Sequence, residues 1–290
     1  MINWPSSLVK DLARRKCILF LGAGISMNST TEEGRRPKGW TELLSEGEKL
    51  VEDRKIKKEI RQQIKNGDLL SACELIKKGL NSDQYKDFLR NEFLTPVYKP
   101  ADIHTDIFKL DARIIITPNF DNIYERHVNT IAAATVIVKK YNEEDIIDSI
   151  RMSQRLIIKN HGCITSPDNI IFSRKDYSSA RINYRDFYSI IDALAITHTF
   201  VFVGAGINDP DIRLIFEDFN YRYRNSRSHY MITPEDKSKK NFMDITSETM
   251  NITMLKYNPK NHHEELANSI KELVAKVEEE RGNLAKSQDW

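Results

Sequence analysis

Four short segments of the chain combine residue types that bind and activate a small polar ligand. Each ends or directly follows a short apolar run, which predicts a buried strand that stops at a turn. Glycines let a ligand approach the main chain closely, and a histidine can serve as a general base near neutral pH. The segments contain Gly22, Gly24 and Ser26; Thr117, Asn119 and Asp121; His161; and Gly204, Asn208 and Asp209. The first segment predicts a nucleotide or dinucleotide site, in which a helix beginning just beyond Gly24 would favour a phosphate.

Each segment also has a purely structural explanation. Asn119 and Asp121 can cap a following helix, His161 can bond to the backbone of its own turn, and the glycines can form ordinary turns. Met27 replaces the third glycine of the dehydrogenase fingerprint, and no phosphate-loop lysine follows, which disfavours a nicotinamide-dependent oxidoreductase. A shared ligand site is nevertheless favoured, because all four segments are expected at one edge of a sheet.

The elements that must position these residues alternate between strand and helix. This pattern predicts an α/β fold with a doubly wound, Rossmann-like parallel sheet. In such sheets the ligand crevice lies outside the carboxyl ends of the strands. We expect strands at 17–21, 113–116, 134–138, 155–159, 170–172, 199–203, 229–232 and 252–255, and helices at 4–15, 121–130, 143–150, 184–196, 211–222 and 239–250.

The stretch after the first strand has a different pattern. Residues 40–93 carry helical periodicity without strand signals, which predicts a small helical lobe inserted at about 40–95. The polar loop 28–39 that precedes the lobe is placed to lie over a ligand. With a C-terminal helix at about 262–282, we expect a single domain over 1–290, a length that one core can support.

Composition narrows the class of protein. The net charge is only +2 although 30% of residues are charged, so direct binding of nucleic acid is not expected. Three widely separated cysteines, Cys17, Cys73 and Cys163, form no Cys-x-x-Cys pair, which argues against a zinc module and fits a reducing compartment. No apolar run is long enough to cross a membrane. We therefore expect a cytoplasmic protein without a metal site.

The four segments together resemble the ordered motifs of sirtuin-like proteins. They read GAGIS at 22–26, TPNFD at 117–121, HG at 161–162 and FVGAGIND at 202–209, and the resemblance covers about residues 10–260. The sequence is most similar to the zinc-less bacterial branch found as NAD-hydrolysing effectors in anti-phage defence, which includes the Thoeris-type effectors. It departs from the family in one loop, where Gly206 stands in place of a serine or threonine hydroxyl.

The resemblance implies a role for each segment. Residues 22–26, including Ala23, would hold the pyrophosphate of NAD⁺, and residues 204–209, including Gly206, would border its adenosine half. Asn119 would orient the nicotinamide ribose and an attacking water. Asp121 would lie near the nicotinamide amide, and His161 would act as general base or as a partner of a ribose hydroxyl.

The resemblance also implies an activity. We expect an NAD⁺ glycohydrolase that releases nicotinamide and ADP-ribose, with NAD⁺ as substrate rather than cofactor, and that depletes cellular NAD as an abortive-infection effector. It implies a homo-oligomer controlled by a partner, such as a sensor, a HerA-type ATPase or a short Argonaute. Two alternatives stay open: a non-enzymatic module that binds NAD or ADP-ribose, and an NAD-dependent protein deacylase or ADP-ribosyltransferase.

Overall fold

The computed structural model describes residues 1–206, 210–223, 225–236, 238 and 240–287. Within these residues seven strands form one sheet in which every neighbouring pair is parallel. The strands are β1 (Cys17–Leu21), β2 (Ile114–Thr117), β3 (Ile137–Lys140), β4 (Leu156–Lys159), β5 (Thr199–Val203), β6 (His229–Pro234) and β7 (Ile252–Tyr257), in the order β3-β4-β2-β1-β5-β6-β7. Because the sheet is parallel, all its carboxyl ends lie at one edge.

Helices cover both faces of this sheet. The described helices are α1 (Ser6–Ala13), α2 (Ala23–Ser26), α3 (Trp40–Leu50), α4 (Arg54–Asn66), α5 (Leu69–Gly79), α6 (Ser82–Phe93), α7 (Asp102–Lys109), α8 (Ile123–Ile131), α9 (Ile146–Arg151), α10 (Arg174–Asn183), α11 (Arg185–Thr197), α12 (Pro210–Arg222), α13 (Lys240–Met250) and α14 (Lys260–Ser287). Alternate residues of β1 enter two different cores: Leu19 packs with α1, α7 and α14, and Phe20 packs with α11 and α12. This two-sided burial explains the continuous apolar strands and confirms the predicted doubly wound α/β fold.

The four helices α3 to α6 have a core of their own, which lies against the sheet's carboxyl edge. Leu44, Ile60, Ile76 and other apolar side chains of these helices are fully buried in this core. Phe120 and Phe172, which come from the sheet side, belong to the same cluster. The lobe therefore packs directly on the turns that follow the strands.

One prediction about local structure was wrong, and two helices were not predicted. Residues 170–172 form no strand, although Ile171 enters one core of the sheet while Ile170 and Phe172 enter the core of the lobe. That alternation imitates a strand pattern. A helix after Gly24 would favour a phosphate, but only the four-residue α2 stands there, so its dipole adds little at such a ligand. The two helices that were not predicted are α7 and α10, the second of which follows residues 170–172.

Candidate functional site

The four predicted segments meet around the carboxyl end of β1. The chain passes from β1 to β2 on one side and later returns to β5 on the other, so β1 is the switch point at which α/β sheets bind ligands. A cavity of about 560 Å³ lies there, a volume typical of small-molecule sites. Predicted residues from every segment line it: Gly22, Ala23, Ser26, Asn119, Asp121, His161, Gly204 and Gly206.

Two other predicted residues, Thr117 and Gly24, are not among the residues that line the cavity. Thr117 is buried; its hydroxyl donates a 2.7 Å hydrogen bond to the last carbonyl of β1 and accepts one of 3.2 Å from the backbone amide of Asn119. Gly24 also lies behind the described lining. Asn208 and Asp209 fall outside the described residues.

The two glycine segments pack directly against each other. The amide of Gly22 donates to the carbonyl of Val203 at 3.0 Å, and the amide of Gly24 donates to the carbonyl of Gly204 at 2.9 Å. A Cβ atom at Gly22 would lie 2.4 Å from the Cα of Ala205, and Gly204 has a positive φ of 63°. These glycines are therefore needed for the close contact of two turns, whatever ligand they also meet.

A hydrogen-bond network joins the first two segments at the cavity wall. The hydroxyl of Ser26 donates to the carboxylate of Asp121 at 2.8 Å and accepts a 3.0 Å bond from the side-chain amide of Asn119. The other carboxylate oxygen of Asp121 accepts from the backbone amide of Ile123 at 3.0 Å, at the start of α8. The capping role considered for Asp121 is thus real. Because its nitrogen is held by Ser26, the amide of Asn119 presents its carbonyl oxygen as the acceptor for a ligand.

The histidine of the third segment is held by a residue that the sequence analysis missed. His161 is 1% exposed, and its Nδ1 lies 3.3 Å from the hydroxyl of Tyr177 on α10, with ring centroids 4.9 Å apart. The lobe holds α10 in turn, because Lys77 of α5 contacts both carboxylate oxygens of Asp176 at 2.7 and 2.8 Å. The position of His161 therefore depends on a helix that packs against the lobe.

The wall opposite the sheet comes from the lobe and the loop before it. Pro37 and Lys38 line the cavity, as the prediction that loop 28–39 lies over a ligand requires. The ammonium of Lys38 is paired with buried Glu92 at 2.6 Å. The lobe also lines the cavity with side chains that no sequence motif marks: Trp40, Leu43, Leu69, Leu70 and Phe93. Arg174 of α10 lines the cavity as well and forms an ion pair of 2.8 Å with Asp68, at the start of α5.

The described residues contain neither a cluster of metal ligands nor a helix suited to a membrane. No group of three or more His, Cys, Asp or Glu side chains in that part of the chain is arranged to hold a metal ion. Of the helices described, none is both long and apolar enough to cross a bilayer.

The fold and the cavity define a doubly wound α/β protein with a ligand-sized site at its switch point. Residues 113–255 match the model of the SIR2-like domain. The predicted resemblance to sirtuin-like proteins is therefore confirmed over these residues.

Named relatives extend this likeness beyond that domain. The chain is 24% identical over 233 residues to the NAD(+) hydrolase ThsA of Acinetobacter baumannii (strain 532279), which covers 78% of this chain and 44% of the relative. It is 23% identical over 239 residues to the NAD(+) hydrolase ThsA of Bacillus cereus (strain MSX-D12), covering 79% and 45%. It is 26% identical over 215 residues to defense-associated sirtuin 2 of Bacillus subtilis, covering 69% and 19%. The chain thus spans less than half the length of these relatives.

Proposed function

We propose that this protein is an NAD⁺ glycohydrolase, which converts NAD⁺ and water to nicotinamide, ADP-ribose and a proton. The observation that carries the proposal is the meeting of all four segments in one cavity at the switch point of the sheet. The names of the relatives support the choice of NAD⁺ as substrate.

The chemistry needs few groups. When the bond between the ribose and nicotinamide breaks, its electron pair goes to the pyridinium nitrogen, and positive charge develops on the sugar as in other glycosyl transfers. Nicotinamide leaves as a neutral molecule, so no acid is needed to protonate it. A water oxygen then bonds to the sugar carbon and loses its proton to a base.

We assign these tasks to three residues of the cavity. The carbonyl oxygen of Asn119 is the acceptor that orients the water or the ribose, because Ser26 holds the amide by its nitrogen. His161 serves as the base or as the partner of a ribose hydroxyl. Asp121 faces the amide of nicotinamide, although both of its carboxylate oxygens already accept one hydrogen bond; each retains a lone pair.

The pyrophosphate is assigned to residues 22–26, with the adenosine half toward residues 204–209. The amides of Gly22, Gly24 and Ile25 are already bonded to carbonyls, so phosphate contacts must use the remaining amides of this turn. Lys38 and Arg174 line the same cavity, where each is already paired with a carboxylate, Glu92 and Asp68.

The control of the activity is also a proposal. We infer that the protein acts in the cytoplasm as a homo-oligomer, and that a sensor, a HerA-type ATPase or a short Argonaute switches it on. The name of the Bacillus subtilis relative associates that protein with defence, and NAD⁺ depletion is harmful to a cell unless it is triggered.

The test follows nicotinamide and ADP-ribose by chromatography after the purified protein is mixed with NAD⁺. Asn119→Ala and His161→Ala should each lower turnover by about 10²–10⁴-fold. The control is Asn66→Ala, at an exposed position at the end of α4, and this variant should keep the parental turnover. Near-parental turnover in both cavity variants would refute the assignment. Turnover that requires an acylated peptide would indicate a deacylase, and binding of NAD⁺ without turnover, with partner present, would indicate a regulatory module.

A further inference from the structure

A fully buried lysine lies directly beneath the candidate site. Lys159 is the last residue of β4, its side chain is 0% exposed, and it is paired across the sheet with Thr117. Its ammonium forms an ion pair with buried Glu125 of α8 and donates a hydrogen bond to the backbone carbonyl of Asp121. One side chain therefore ties the end of β4 to the turn that carries Asn119.

Stability alone explains this pair poorly. Burial lowers the pKa of Lys159, but the charges of Glu125, Cys163 and Asp121 and the hydrogen bond to Glu125 together outweigh burial, so the net pKa is raised and the lysine stays charged. Burial raises the pKa of Glu125, and the Lys159 ammonium lowers it by a smaller amount, so the net pKa is raised. Replacing a buried ion pair by apolar residues of similar size is often neutral or stabilising. The hydrogen bond to Asp121 gives the pair a second role, because it acts on the turn itself.

The contacts continue from Lys159 to the groups assigned to the reaction. Asp121 binds the hydroxyl of Ser26, which accepts from Asn119. His161 follows Lys159 by two residues at the same strand end. Two backbone hydrogen bonds also join this turn to the segment after β4: the amides of Asn160 and Ile164 donate to the carbonyls of Thr117 and Phe120 at 3.1 and 2.8 Å. Lys159 adds a side-chain contact at Asp121, the last residue of the turn.

We propose that Lys159 and Glu125 are a positioning pair, which fixes the turn of residues 117–121 against the strand end that carries His161. This inference rests on the proposed hydrolysis of NAD⁺. Neither side chain lines the described cavity, so the pair acts on the reaction only through the placement of Asn119.

The decisive variant is Lys159→Met combined with Glu125→Leu, which leaves no unpaired buried charge. We expect kcat for NAD⁺ to fall about 100-fold, since a displacement of about 1 Å can cost that much, while KM changes by less than about threefold. The control is Arg155→Met, which removes an ion pair of 2.6 Å with Asp111 at the opposite end of β4 and should keep the parental kcat. If the double variant does not fold, Lys159→Met alone replaces it, because the pKa of buried Glu125 is already raised and a protonated carboxyl leaves no buried charge; kcat is then expected to fall about tenfold.

Parental kcat in the double variant, or a change confined to KM, would overturn the positioning role. A crystal structure of the double variant decides the same point without turnover. We expect the amide of Asn119 to move, and an amide within about 0.5 Å of its parental position would overturn the inference. Absence of NAD⁺ hydrolysis by the parent, with partner present, would instead refute the proposed function, and the two failures are thereby distinguished.

Discussion

Acid should destabilise this protein through a histidine far from the cavity. His229 begins β6, is 2% exposed, and its Nδ1 accepts a 3.0 Å hydrogen bond from the backbone amide of Phe200. That bond requires a neutral ring. The rings of Phe200, Phe216 and Phe219 surround it, with centroids 5.8, 4.8 and 5.1 Å away. Burial among these rings lowers the pKa of His229 from 6.5 to about 4.

The sign and the size follow from this shift. Between pH 6.5 and 4 the unfolded chain binds a proton at this position and the folded chain does not, so the free energy of unfolding falls as the pH falls. At 1.36 kcal/mol for each pH unit, the loss at pH 5 is about 2 kcal/mol, and below pH 4 it approaches about 3 kcal/mol. Above pH 6.5, the pKa of this histidine in the unfolded chain, the full contribution of neutral His229 to the free energy of unfolding is present.

The assay is urea unfolding at pH 7 and pH 5, on the parent and on His229→Asn. Asparagine places its oxygen near the position of Nδ1, so it keeps an acceptor for the amide of Phe200 but does not titrate. Burial also lowers the pKa of His104, His127 and His198; these residues remain in the variant, so the difference between the two proteins isolates His229. Equal pH dependence of unfolding in parent and variant would refute the reasoning.

Three further predictions concern the cavity. Gly204→Ala should lower the thermal midpoint by several degrees, because the φ of Gly204 is 63° and an added Cβ would lie 2.7 Å from a backbone nitrogen of the facing turn. The control is Gly206→Ala, whose added Cβ would meet no atom within 4 Å, and it should unfold like the parent in the same thermal scan. Ser26→Ala should cost about 1–2 kcal/mol in denaturant unfolding and lower NAD⁺ turnover about tenfold, since it removes a hydroxyl bonded to a carboxylate; an unchanged kcat would contradict the proposed orientation of the amide. Tyr177→Phe should lower kcat a few-fold and shift the pH profile of kcat/KM, because it removes the hydroxyl 3.3 Å from His161; an unchanged profile would show that the contact does not tune the histidine.

The sheet could be predicted because its strands are short apolar runs that stop at glycine or polar residues. β5 has the predicted bounds, and β4 starts one residue later than expected. The edge strand β3 is displaced by three residues at its start. Its side chains are only half-buried, so burial constrains the pattern less at that position.

The parts that the sequence did not reveal depend on tertiary packing. Residues 170–172 alternate between two cores and so imitate a strand, and only the assembled lobe shows why. Tyr177 lies on a helix that was not expected, and it reaches His161 because the lobe holds that helix. No spacing rule connects these two residues before the fold is known.

The lobe and the sheet contribute different properties to the cavity. The sheet supplies the polar groups at the ends of its strands. The lobe supplies an aromatic wall, in which Trp40 lies 6.0 Å from Phe120 and 5.7 Å from Phe172, and Phe93 lies 5.5 Å from Phe120. The match to the SIR2-like domain begins at residue 113, beyond the lobe. Shared chemistry is thus expected from the matched strand ends that carry Asn119, Asp121 and His161. We expect the shape that selects one substrate over a related one to depend on the lobe, which lies outside the matched domain.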